Sequence, residues 1–109
     1  VLNNGKASGK QVVPAEFVED ILTQDGDPSW PYAAGEGLKP YYRSFWWGEG
    51  NSGGDVSGYG IHGQFVRVVP KDRIVIAMYS TWPRADGDGV THGWDVTAEL
   101  MEALIDEFR

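Results

Sequence analysis

Two runs rich in β-branched residues, Gln64–Val69 and Ile74–Ser80, flank the short link Pro70-Lys71-Asp72-Arg73. Branched side chains suit a pleated strand, and a link of this kind suits a tight turn, so an antiparallel hairpin follows. Arg67 is the sole charge inside either run. The hairpin is therefore expected to be mostly buried and central in a sheet. The rest of the chain is read around it. Gly5–Gln11 reads as a short polar loop. Pro14 suits a first helical turn, and Phe17, Ile21 and Leu22 give helical spacing through Leu22. Asp25–Pro40 is rich in Gly, Pro and Asp and reads as irregular. Tyr41–Trp47 reads as one aromatic strand, Gly48–Gly58 as a glycine-rich loop and Thr81–Gly93 as another loop. Asp95 is the expected N-cap of a last helix, on which Leu100, Met101, Leu104, Ile105 and Phe108 form one apolar stripe. The expected class is α+β, an antiparallel sheet with a C-terminal helix packed on it.

With 109 residues there is room for one domain and one core. The formal charge is −7 and no basic stripe occurs, which argues against a nucleic-acid partner. No apolar run approaches the roughly 20 residues of a membrane span. Cysteine is absent, so disulfides and thiolate sites are excluded. Val1-Leu2-Asn3-Asn4-Gly5 has no charged leader and reads like the end of a helix, as if the chain continued a longer one. The compartment is left open between cytoplasm and periplasm.

Several motif matches lack the context that gives them chemistry. Gly48-Glu49-Gly50-Asn51-Ser52-Gly53 fits the dinucleotide pattern G-x-G-x-x-G, but that pattern needs a helix N-terminus after it to face the pyrophosphate. Gly54-Asp55-Val56-Ser57-Gly58 follows instead, and Glu49 and Asp55 would repel phosphate. The same loop fits G-x-S-x-G at Ser52, with Asp72 or Asp86 and then His92 downstream. A nucleophile elbow also needs a strand-to-helix turn, which is missing. His62 and His92 have no metal-ligand spacing, and no carboxylate pair is spaced for acid/base work. Trp46 and Trp47 are adjacent on a strand, so they face opposite ways; one is expected in the core and the other at a cleft or a neighbouring domain.

One segment does carry a signal. In Gly58-Tyr59-Gly60-Ile61-His62-Gly63-Gln64-Phe65, glycines lead directly into a buried strand. Glycine weakens a strand unless its backbone must turn sharply or come close to something. A backbone N–H flanked by glycine at the lip of a sheet is fixed and unhindered, as an oxyanion donor must be. His62 and Gln64 open the strand with polar side chains, which is also what closing buried hydrogen bonds requires.

Tyr42-Arg43-Ser44-Phe45-Trp46-Trp47, the loop after it, Gly58–Gln64 and the hairpin together resemble the C-terminal part of β-lactamase-like serine hydrolases. Leu2–Pro14 fits the same family's helical region. The wording Gly60-Ile61-His62-Gly63-Gln64 is similar to the branch of 6-aminohexanoate-dimer hydrolases and related esterases. The resemblance implies a partial β-lactamase-like (transpeptidase) fold, with 1–40 the end of a helical region and a loop, and 41–109 the sheet strands and C-terminal helix. It implies acyl transfer from a small-molecule amide or ester to a Ser-x-x-Lys serine, with that Lys and a Tyr handling the proton and no cofactor. It assigns the N–H of Ile61 as second oxyanion donor, His62 as a residue that positions that backbone or lines the site, and Tyr59, Gly60 and Trp47 as substrate-side neighbours. None of Ser8, Ser29, Ser44, Ser52, Ser57 and Ser80 has a Lys three residues on, and neither Tyr-x-Asn nor Lys-Thr-Gly occurs. The implied partner is then an N-terminal part of the same protein that holds Ser, Lys and Tyr. The alternative is a non-catalytic module that uses Trp46, Trp47, Tyr59 and Trp82 as an aromatic platform for a sugar or peptide.

Overall fold

Alternation along five short strands gives the sheet two dissimilar faces, and each face is covered by a different end of the chain. The computed structural model describes residues 1–23, 40–85 and 93–109. Its strands are β1 (Lys6–Ala7), β2 (Lys10–Gln11), β3 (Tyr41–Arg43), β4 (Trp46–Gly48), β5 (Val56–Gly60), β6 (Gln64–Val69) and β7 (Ile74–Met78); its helices are α1 (Ala15–Leu22) and α2 (Gly93–Phe108). β1 and β2 pair with each other. The main sheet has the order β3-β4-β5-β6-β7, and every pair is antiparallel. With a C-terminal helix on this sheet, the fold is α+β as expected.

Register defines the faces. Tyr41, Gly48, Val56, Val68 and Val75 lie opposite one another in one row. Ile21 of α1 packs with Val56 and Val68 on that side, with Val1, Leu2, Leu22 and Trp46 around them. The Tyr41 hydroxyl donates to Ile21 O at 3.2 Å, and its ring lies over Gly48, where any Cβ would sit 1.9 Å from ring carbon. The opposite face carries Trp47, Ser57, Tyr59, Phe65 and Arg67. Met101 and Thr97 of α2 cover this side, and Ile105 of the same helix is fully buried. Removing an Ile from such a site forfeits its transfer energy and leaves a cavity. Ile105→Ala is expected to cost about 3 kcal/mol in urea unfolding, with an unchanged denaturant slope.

Several expectations need correction. Gly5–Gln11 is a hairpin, closed by Ser8 and Gly9 at φ 49° and 75°. Val1–Gly5 forms turns rather than helix, with Asn4 N–H donating to Val1 O. Tyr41–Trp47 is two strands, because Ser44 and Phe45 turn the chain at φ 49° and 68°. Gly48–Gly58 is not all loop: β5 begins at Val56, and its five residues pair with β6. The hairpin is only half central. β6 has neighbours on both sides, but β7 is an edge strand among the described residues and alternates half-buried with exposed positions. On α1 the buried residues are Val18 and Ile21, and Phe17 is 44% exposed. On α2 the buried set is Thr97, Met101 and Ile105, while Leu100 and Phe108 are exposed. That helix starts at Gly93, so Asp95 sits inside its first turn, where a carboxylate favours the positive end of the dipole, rather than capping it. Most of Asp25–Pro40, together with Asp86 and His92, lies outside the described residues.

Asp20 fastens α1 to the β3–β4 turn. It accepts from Arg43 Nε at 2.8 Å and from the Ser44 hydroxyl. These hydrogen bonds, led by that from Arg43, hold its carboxyl below the usual carboxylate value. A depressed folded-state pKa gives stability that is present above the unfolded value and fades as pH falls through the folded one. Wild type is therefore expected to lose more stability than Asp20→Asn on acidification below about pH 4. Unfolding midpoints of both proteins across that range test this.

Candidate active site

A three-residue turn, Ile61-His62-Gly63, joins β5 to β6, because the ladder closes at the pair Gly60↔Gln64. Gly58-Tyr59-Gly60 is thus the end of a strand, not a loop leading into one. His62 and Gly63 take φ 59° and 79°, which reverses the chain sharply. Ile61 stands outside the ladder, and no described residue accepts from its N–H. Its side chain is 68% exposed at the tip. Among the described residues, then, this amide on a short turn has no acceptor, and Gly60 beside it has no side chain.

The turn is held from behind by residues 80–85. His62 N–H donates to Ala85 O at 3.0 Å, and Trp82 N–H donates to His62 O at 3.2 Å. His62 Nδ1 lies 2.8 Å from Trp82 O. A carbonyl only accepts, so Nδ1 carries the proton, and in the neutral ring Nε2 keeps its lone pair. Gln64 Nε2 donates to Ser80 O at 2.6 Å and to His62 O at 3.3 Å. The Trp82 indole lies against Gly63, where a Cβ would come within 2.6 Å of the ring. Only glycine meets both demands there, the positive φ and the close approach.

Tyr59 and Trp47 are brought together, with ring centroids 6.1 Å apart and edge to face. Trp47 is not beside Ile61, however. It pairs across from Ser57, four residues back along β5, or about 13 Å at the usual rise per residue. It belongs to an aromatic row, Tyr42-Trp47-Tyr59-Phe65-Trp94, continued by Trp82. Trp46 faces the other way, into the α1 side, so Trp46, Trp47, Tyr59 and Trp82 do not form one platform. The Tyr59 hydroxyl donates to Glu49 at 3.2 Å. Burial and the neighbouring Glu49 charge push the phenol's pKa up, so Tyr59 is a donor at neutral pH, not a base.

The network that sequence reasoning missed surrounds Arg67. Its guanidinium lies 3.1 Å from Asp55, 3.2 Å from Glu102 and 3.5 Å from Glu49. Glu49 also accepts from the Ser57 hydroxyl. The only signal in the sequence was the lone charge in a β-branched run. The two discounted motif matches fall in the loop after β4: Ser52 is exposed, and β5, a strand, follows.

The strand meander and its terminal helix form an α+β arrangement that a solved hydrolase-like protein shares. Within that class the likeness is particular. In an alignment 91 positions long that covers 79% of this chain, the sequence is 37% identical to the 6-aminohexanoate-dimer hydrolase of Paenarthrobacter ureafaciens. A solved structure described as "Putative 6-aminohexanoate-dimer hydrolase from Bacillus anthracis" superposes with a TM-score of 0.57 over 94% of this chain, at 28% identity. The chain corresponds to 22% of the first protein and 26% of the second. No family model matches. Sequence and backbone therefore agree on the resemblance to 6-aminohexanoate-dimer hydrolases. Among the described residues no helix is long and apolar enough to cross a membrane.

Proposed function

We propose that this chain is the C-terminal segment of a serine hydrolase that cleaves an amide or ester bond in a small molecule through an acyl-enzyme. Its relative's name, 6-aminohexanoate-dimer hydrolase, favours an amide. The chain's share of the chemistry is electrostatic. The N–H of Ile61 is the second oxyanion donor, and the nucleophile's own N–H is the first. The observation that carries this reading is the open Ile61 amide on a turn whose next residue is pinned at its N–H, carbonyl and ring. A donor fixed before reaction stabilises developing charge without reorganisation. His62 positions the turn through Trp82 O. Gly60 leaves the approach to the amide clear, and Tyr59 stands one residue further back, its hydroxyl donated to Glu49. Trp47 supports Tyr59 from the next strand rather than meeting the reacting carbonyl.

The Ser-x-x-Lys nucleophile and its Tyr lie in a part of the protein beyond these 109 residues. Labelling the complete polypeptide with a fluorophosphonate tests this. Label is expected on one serine outside residues 1–109 that has a lysine three positions on. Label on any of the six serines of this segment, or no label, would reject the mechanism.

A further inference from the structure

We infer that Gln64 is a positioning residue for the reaction: by donating to both Ser80 O and His62 O it holds the turn that offers the Ile61 amide. The inference rests on the oxyanion role proposed above and adds to it the group that aims the donor. Three observations meet at this side chain. First, one amide nitrogen bridges two carbonyls from segments 18 residues apart, at 2.6 Å to Ser80 O and 3.3 Å to His62 O. Second, His62 O also accepts from Trp82 N–H, so Gln64 reinforces a carbonyl already used in the link between the turn and residues 80–85. Third, Gln64 sits at the last rung of the ladder, opposite Gly60. Any shift of its strand end is passed directly to the turn that precedes it.

Among the described residues the turn has little else on its front side. Ile61 is exposed, and Gly60 and Gly63 have no side chains with which to pack. Its placement depends on what holds it from behind. The His62 ring supplies one such bond, and the Trp82 indole closes over Gly63. Gln64 supplies two, both from a nitrogen that only donates. A glutamate of the same length cannot donate there and would set a carboxylate against two carbonyl oxygens. A methionine keeps the length and apolar bulk while losing the donors without adding charge.

The test uses the complete polypeptide with Gln64→Glu and Gln64→Met, and follows kcat, KM, melting temperature and hydrogen exchange at the His62 amide. Misplacing a reacting group by a fraction of an ångström to an ångström costs on the order of 10- to 100-fold in rate. Both variants are expected to lower kcat by about 10-fold or more with KM within about two-fold, and to speed exchange at His62 by about 10-fold, at near-constant melting temperature. An unchanged kcat in Gln64→Met would overturn the assignment, even with faster exchange, because the contact would then be structural only. Unchanged exchange in both variants would overturn it as well. A fall in kcat that merely follows a collapsed melting temperature counts against it in the same way. Failure of serine labelling in wild type, with exchange at His62 still dependent on Gln64, would reject the underlying hydrolase reading instead and is distinguishable on that ground.

Discussion

If the proposed hydrolase chemistry holds, turnover of the complete polypeptide is expected to fall by about 100-fold or more in Ile61→Pro, the size of loss seen when one oxyanion donor is removed. Proline deletes the N–H and changes little else at this position. Ile61 is not among the residues with positive φ, and Gly60 before it is in strand, the conformation that a residue preceding proline prefers. Ile61 has no place in the ladder, so no strand hydrogen bond is lost. The unfolding midpoint is accordingly expected to move little. Ile61→Val is the control, since it keeps the N–H and alters only an exposed side chain; its turnover is expected to stay within about two-fold of wild type. A proline variant with near-normal turnover and an intact fold would move the donor to another residue.

The second large effect is on stability. Arg67→Ala is expected to cost about 3–5 kcal/mol in denaturant unfolding. Arg67 is 12% exposed and faces three carboxylates. Truncating it leaves Asp55, almost wholly buried, and Glu49 without their cation. Glu102 contributes little to this cost, because it is largely exposed and solvent screens it. Glu102→Ala is therefore expected to cost less than about 1 kcal/mol. Similar losses in the two variants would mean that the cluster is held by the outer pair rather than the inner ones.

What could be read from the sequence divides along physical lines. The β6–β7 hairpin was legible because its runs are continuous and its turn carries Pro70 and Asp72. The C-terminal helix was legible from its spacing, though its starting point was not. β5 was missed because Val56-Ser57-Gly58-Tyr59-Gly60 has the composition of a loop. It becomes a strand because β4 and β6 supply partners on both sides. The β3–β4 turn was missed because Phe45 gives no hint of a left-handed conformation; Asp20, more than 20 residues away, holds Ser44 and Arg43 at its entrance. At the site, glycine spacing marked out the Ile61 tip. The hold on that tip was invisible, since it joins residues 16 to 23 positions apart through main-chain carbonyls that any sequence would provide.

The strand order β3-β4-β5-β6-β7 follows the chain without a single crossover. Every rung of the sheet is therefore laid down between segments that are already neighbours in sequence, and no long loop must close before pairing begins. Low contact order of this kind speeds the search for the native state. The two helices differ. α1 must reach Val68, some 50 residues along, and α2 must come back over Phe65 and Arg67. The meander is thus suited to assemble early as a platform, and the two ends of the chain to close over it afterwards, one on each face.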